Sequence, residues 1–169
     1  MAVKKVKPKV GDVFCVPISE EECGFGQILA KYKGAVFLMV VFSQKARSDA
    51  HPAIEEIISS PPLFVSNSFD AKIWHGDWPI IGNVPPDLAR LPLPKYKVQI
   101  GQEMHVESYD ATRARPATQS ELGRLTFRTC VSPILLELAL KAHWGFGEWE
   151  ESFDCMKAEA ALQSACIEV

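Results

Sequence analysis

Long apolar runs are missing from this sequence of 169 residues. The longest, residues 35–42, has eight residues, whereas a helix that crosses a bilayer needs about 18 or more. The amino-terminal stretch MAVKKVKPKVGD also lacks the apolar segment of a secretory signal peptide. Both absences argue against a membrane protein and favour a protein of the cytoplasm.

Cysteine pairs with metal-binding or redox spacing are also missing. The sequence has five cysteines, an odd number, and none of them forms a C-x-x-C motif. A zinc site is therefore not expected, whereas free thiols in a reducing compartment are. The alternative to five free thiols is a disulfide between Cys15 and Cys23, formed across a hairpin. No motif joins a nucleophile to a base, so we predict a protein that is not an enzyme, with no catalytic residues, no metal and no cofactor.

A surplus of basic residues, which a nucleic-acid-binding face requires, is lacking. The sequence has 18 lysines and arginines against 21 aspartates and glutamates, a net charge of −3. Nucleic acid is therefore not the expected partner. The first ten residues are basic, unlike the rest of the chain. They contain no acidic residue, and they include four lysines: Lys4, Lys5, Lys7 and Lys9. We expect residues 1–10 to form a flexible basic tail.

The rest of the composition is that of a globular protein, with 47% hydrophobic and 23% charged residues. A chain of this length buries about 70% of the surface that its unfolded state exposes. That burial is sufficient for one hydrophobic core, and no internal repeat divides the chain. We therefore expect a single domain over residues 11–169.

Three apolar stretches near the amino terminus predict β-strands: residues 13–18, 25–32 and 35–42. A charged turn at residues 20–22 and a glycine turn at Gly34 separate them. The third stretch is apolar throughout, which predicts a central strand buried on both faces. Strands connected in this way form an antiparallel meander, which is typical of a strongly bent β-sheet or half-barrel.

The later part of the chain predicts short strands and peripheral helices, so the expected fold class is α+β. Strands are predicted over residues 96–100 and 103–107, on either side of Gly101, and over residues 71–75. Ser132 and Pro133 are suited to an N-cap and a first helical position, and the helix they begin is expected to stop at residues 143–145. One or two C-terminal helices are expected within residues 148–164.

Several motifs, taken in order, resemble those of a known family. Residues 11–17, GDVFCVP, and residues 24–29, GFGQIL, are similar to the opening of immunity family twenty-six of bacterial polymorphic toxin systems. Residues 76–82, GDWPIIG, resemble the family's G-x-W-P-[VI]-I-G segment. Residues 132–145 resemble its last helix. The resemblance covers most of the chain from Gly11 to about Phe153.

This resemblance implies a largely β, α+β fold without catalytic residues. It also implies a protein that binds and neutralises a cognate toxin domain. The motif residues are expected to be structural, with Gly11 and Gly26 permitting backbone bends, Trp78 filling the core and Gly82 ending a strand. The full set of motif residues is Gly11, Asp12, Phe14, Pro17, Gly24, Gly26, Trp78, Pro79, Ile81 and Gly82.

Contacts to a toxin are expected on loops and helix faces, where binding residues concentrate. Acidic side chains attract a basic partner and carry the charge of a phosphate substrate. The expected partner-binding residues are the acidic groups of the first hairpin and of the C-terminal region: Glu20, Glu21, Glu22, Glu148, Glu150 and Glu151. The expected mechanism is stoichiometric occlusion of the toxin.

A non-catalytic, β-rich adaptor that binds a peptide or RNA is the alternative function. It would use the internal arginines, which are Arg113, Arg115, Arg124 and Arg128, together with exposed tryptophans. A concave face shared by these two kinds of residue would favour the adaptor. Scattered placement of these residues would not favour it.

Overall fold

The computed structural model describes residues 5–169. Within that range the chain forms eight β-strands, five α-helices and one 3₁₀ helix. The strands are β1 Asp12–Pro17, β2 Glu22–Lys31, β3 Val36–Arg47, β4 Pro62–Phe69, β5 Ile80–Asn83, β6 Tyr96–Ile100, β7 Glu103–Glu107 and β8 Ala114–Pro116. The helices are α1 Ile54–Ser59, α2 Ala71–Trp74, α3 Gln119–Leu122, α4 Pro133–His143, α5 Ala158–Ala165 and the 3₁₀ helix Glu151–Met156.

The main sheet has five antiparallel strands in the order β4-β3-β2-β1-β5. This arrangement confirms the predicted meander and the α+β class. The register shifts along β2 at Gly24 and again near Ala30, and such bulges bend a strand. The sheet is open and does not close into a barrel.

Both faces of the main sheet are buried, as the apolar stretch in β3 predicted. Alternate β3 side chains, such as Met39 and Val40, point into two separate hydrophobic clusters. On one face α4 and the 3₁₀ helix cover the strands. On the other face the cover comes from α1, α5 and a second sheet of three strands in the order β6-β7-β8.

The second sheet is attached to the first by the extended segment 124–131. The N–H of Lys97 in β6 donates to Thr126 O at 2.9 Å, and the N–H of Val131 donates to Asn67 O in β4 at 2.9 Å. The hairpin of β6 and β7 turns at Gly101, whose φ is +63°, as its sequence predicted. Glycine adopts this left-handed conformation without steric cost.

The boundaries of α4 also confirm the prediction. The Ser132 hydroxyl accepts from the N–H of Ile134 at 3.3 Å, and Pro133 occupies the first turn. At the other end, Gly145 has a φ of +81°. The N–H of Gly145 donates to Ala142 O at 3.1 Å and that of Phe146 to Lys141 O at 2.8 Å, which is the hydrogen-bond pattern of a Schellman motif.

The strand predicted over residues 71–75 is wrong, because these residues form α2. The N–H of Trp74 donates to Asp70 O at 2.8 Å, which closes a helical turn. Only Ile73 of this short helix is buried. A single core contact does not require an extended backbone, so a helical turn satisfies the burial of Ile73.

The amino-terminal prediction falls partly on residues 1–4, which lie outside the described residues. Residues 5–10 have no regular secondary structure and run beside α2. The N–H of Val6 donates to Trp74 O at 3.3 Å, and Pro8 is buried. From residue 5 to residue 169, no helix combines the length and the apolar composition that a bilayer crossing requires.

Trp78 joins three distant segments in the core. Its ring is fully buried and stacks on Phe14 of β1, with centroids 5.4 Å apart and planes 6° from parallel. Its indole Nε1 donates to the Glu137 carboxylate of α4 at 3.0 Å. Gly26 of β2 makes room for this stack, since a Cβ there would lie 2.6 Å from the Phe14 ring.

We expect Trp78→Ala to lower the free energy of unfolding by about 3–5 kcal/mol, because it leaves a cavity and removes the hydrogen bond to Glu137. Urea denaturation measures this loss. Trp149→Ala is the matched control, since Trp149 is 41% exposed, and it should cost less than half as much. Equal losses for the two variants would contradict this account of the core.

Candidate partner-binding surface

The turn between β1 and β2 holds the first acidic group in a fixed conformation. The Ser19 hydroxyl accepts from the N–H groups of Glu21 and Glu22 at 3.2 and 3.1 Å. Glu20 and Glu21 are exposed, whereas Glu22 forms a salt bridge with Lys45 at 2.9 Å. The turn therefore directs Glu20 and Glu21 into solvent and uses Glu22 to hold the hairpin to β3.

The Schellman motif at the end of α4 brings Phe146 next to this turn. Phe146 and residues 19–22 line a shared groove of about 370 Å³. The Lys45 ammonium, besides pairing with Glu22, lies 4.9 Å from the ring centroid of Trp144, which adds a cation–π contact. The structure thus places the first hairpin beside the segment that continues into Glu148.

The second acidic group follows Phe146 in the sequence. Its three members, Glu148, Glu150 and Glu151, are exposed. Between them lies Trp149, which packs on Phe64 with ring centroids 6.2 Å apart. We name the surface formed by both groups the acidic surface. It comprises Glu20, Glu21, Phe146, Glu148, Trp149, Glu150 and Glu151.

The carboxylates of the acidic surface are not neutralised by the protein itself. None of this surface's five carboxylates forms a salt bridge with a residue of the described range 5–169; they belong to Glu20, Glu21, Glu148, Glu150 and Glu151. Asp154, at the end of the same segment, differs because Lys157 lies 2.6 Å from its carboxylate. That lysine holds the pKa of Asp154 below its usual range. The acidic surface therefore presents a concentrated negative charge to a partner.

The residues of the family-like motifs lie in the scaffold and not on the acidic surface. The buried Asp12 carboxylate accepts from the N–H of Lys9 at 2.9 Å and from the Asn83 amide at 2.8 Å, so it ties β1 to β5. Gly11 has a φ of +92°. Gly82 lies within β5, one residue before its end, and leaves room for Ile54. The remaining motif residues all lie in or directly beside β1, β2 and β5: Phe14, Pro17, Gly24, Gly26, Trp78, Pro79 and Ile81.

Arg128 is a structural arginine that the sequence did not distinguish from its neighbours. Its guanidinium carbon lies 4.0 Å from the ring centroid of Tyr32, 4.2 Å from that of Tyr96 and 5.4 Å from that of Tyr109. Its Nη2 donates to the Glu107 carboxylate at 3.1 Å. Three tyrosines and one carboxylate therefore hold this cation between the two sheets.

The same cluster contains a buried amide. The Asn67 side chain donates to the Tyr96 hydroxyl at 2.8 Å and accepts from the Tyr109 hydroxyl at 3.1 Å. Burial raises the pKa of both tyrosines, so each hydroxyl stays protonated and able to donate. These hydrogen bonds connect β4 to the second sheet.

The other arginines do not form the concave face that an adaptor would need. Arg115 pairs with Glu121 at 2.7 Å, and Arg113 donates to the Val169 carbonyl at 3.0 Å. The exposed Trp149 packs instead against Phe64 and Phe153, in the cluster beneath α4. Arg113 and Arg115 are thus engaged by the C-terminal segment and α3, whereas Trp149 is engaged by the cluster beneath α4.

The cysteines are free thiols. Cys15 and Cys23 lie on adjacent strands, two positions out of register. Burial, together with this neighbour, raises the pKa of Cys15 to about 12. In the described part of the chain, no three His, Cys, Asp or Glu side chains are grouped so as to hold a metal ion.

Most of this scaffold is similar to a known protein family. The sequence model of the family described as immunity protein 26 matches residues 9–108, which is more than half of the chain. The matched range contains the opening motif and the Trp78 segment. It ends before α4, so the resemblance of residues 132–145 stays a prediction. No curated protein and no solved structure matches.

We expect Arg128→Leu to lower the free energy of unfolding by about 2–4 kcal/mol, because it removes the cation–π contacts and leaves Glu107 without its partner. Urea denaturation measures the change. Arg124→Leu is the matched control, since Arg124 is exposed, and its effect should stay within about 0.5 kcal/mol. An Arg128 variant as stable as the control would refute the bridging role.

We expect Cys15 and Cys23 to be alkylated much more slowly than the exposed Cys155 and Cys166. Only the thiolate reacts, and the raised pKa keeps Cys15 protonated at pH 8. Timed treatment with iodoacetamide followed by mass spectrometry gives the order. Urea should equalise the rates. Rapid labelling of Cys15 in the folded chain would contradict the prediction and would show that this thiol is reactive.

Proposed function

The chain belongs to the immunity protein 26 family, and from that premise we propose that it binds and neutralises a cognate toxin domain in the cytoplasm. The mechanism is stoichiometric. The protein covers the toxin's active site or its substrate path, and no bond is made or broken. The family match supports the class of function, and the acidic surface supports the mode of binding.

The acidic surface is the observation that carries this proposal. Its five unpaired carboxylates accelerate the encounter with a basic partner and orient it. Its two exposed aromatic residues, Phe146 and Trp149, supply the large apolar contacts that dominate binding energy at protein interfaces. Carboxylates also carry the charge of a phosphate group, so they suit a toxin surface that binds an anionic substrate.

A non-catalytic role agrees with the chemistry of the described residues. The half-buried thiol of Cys15 is held neutral, and no histidine in residues 5–169 hydrogen-bonds to a cysteine. The adaptor alternative has no comparable support, because Arg115 and Arg128 are paired within the fold. We therefore retain neutralisation by binding as the proposed activity.

Co-expression tests the function directly. The toxin domain encoded by the neighbouring reading frame is induced in a test bacterium, with and without this chain. We expect the toxin domain alone to kill and the chain to restore growth. The two proteins should then co-purify as a one-to-one complex. A toxin domain that kills equally well in the presence of this chain would refute neutralisation of that toxin.

The acidic surface makes a separate prediction. Glu20→Lys combined with Glu21→Lys should weaken toxin binding about 10- to 100-fold at low salt and reduce the dependence of the association rate on salt. Surface plasmon resonance against the purified toxin domain measures both. The matched control is Glu55→Lys with Glu56→Lys, an exposed acidic pair on α1. Equal behaviour of the two double variants would exclude the hairpin turn from the interface.

A further inference from the structure

The outer face of α4 is apolar where a surface helix is ordinarily polar. Ile134 is 54% exposed and Leu138, one turn later, is 44% exposed. Both face away from the core, because the buried side of the same helix is formed by Leu136, Ala139 and Leu140. These exposed side chains contribute nothing evident to packing within the chain.

A groove extends this apolar face at the start of α4. It has a volume of about 460 Å³ and lies between α2 and α4, with Phe69, Pro133 and Ile134 among its lining residues. Phe69 is itself an exposed large apolar side chain at the end of β4. Charged groups stand at the rim, where Lys72 pairs with Asp77 at 3.4 Å.

The other end of α4 leads to the acidic surface. The hydrogen bond from the Phe146 N–H to Lys141 O turns the chain back over the last helical turn, and Phe146 lies in the groove beside Glu20 and Glu21. An α-helix of eleven residues is about 16 Å long. We name the four exposed apolar residues along it, Phe69, Ile134, Leu138 and Phe146, the α4 ridge.

We propose that the α4 ridge is the apolar centre of the interface with the toxin and that the acidic surface forms one edge of that interface. This inference rests on the proposed function and adds the residues that supply its binding energy. Stable interfaces combine an apolar centre with a polar rim, and the α4 ridge with the acidic surface has that composition. The groove beside Phe69 accepts an apolar side chain of the toxin.

The charge beside the α4 ridge favours a toxin over a second copy of this chain as the partner that binds there. The unpaired carboxylates adjoining Phe146 complement a toxin surface that carries lysines and arginines around an apolar patch. A second copy of this chain has a net charge of −3 and the same carboxylates, so it complements the ridge poorly.

The test uses the toxin domain that the chain neutralises in co-expression. Leu138→Glu and Ile134→Glu are each expected to weaken its binding at least tenfold by isothermal titration calorimetry. Leu88→Glu is the matched control, because Leu88 is 42% exposed and lies in the proline-rich segment, and it should bind like the wild type. Leu138→Ser, a smaller change, should weaken binding in the same direction. Thermal unfolding of each free variant confirms that it is folded.

The outcomes separate this inference from the proposed function. Wild-type affinity in Leu138→Glu and Ile134→Glu, with weakened binding in the Glu20 and Glu21 double variant, would overturn the ridge and leave neutralisation intact. A wild-type chain that neutralises no toxin domain would overturn both. A free chain that dimerises through Leu138, shown by light scattering of wild type and variant, with unchanged toxin affinity, would assign the ridge to self-association and overturn the inference.

Discussion

The stacking of Trp78 on Phe14 is the contact on which the rest of the structure depends. It joins β1 to the segment that leads into β5, and the indole hydrogen bond to Glu137 fixes α4 on the same face of the sheet. Since Glu137 also pairs with Lys72 of α2 at 3.7 Å, the helix cannot rotate without breaking its contacts to two other segments. The direction in which α4 presents its outer face follows from this one junction.

A sheet that is buried on both faces leaves its strands unavailable for recognition. Binding residues must then lie on turns, on helix faces and on the segments between them. The family match ends at residue 108, whereas α4 and the second acidic group lie beyond it. The matched region therefore supplies most of the scaffold. The surfaces that we assign to toxin binding combine one turn of that scaffold and Phe69, at the end of β4, with the C-terminal part of the chain.

Polar contacts add to the apolar cluster that joins the second sheet to the first. Arg128, enclosed by tyrosine rings and paired with Glu107, occupies the space between the sheets. Asn67 connects the hydroxyls of Tyr96 and Tyr109. The Asn67 amide requires these partners, because a buried polar atom without a hydrogen bond is costly. The contacts of Arg128 and Asn67 fix the position of the second sheet relative to the first.

The sequence by itself determined the elements whose signals are local, including the meander of β1 to β3, the hairpin at Gly101 and both ends of α4. It also determined the α+β class and the family. Tertiary structure decided that residues 71–75 are helical, that Phe146 lies beside Glu20, and that Arg128 fills the tyrosine cluster. The physical reason is that periodicity and capping act over a few residues and indicate burial. Contacts between distant side chains depend on how whole elements pack, and no local sequence pattern specifies that packing.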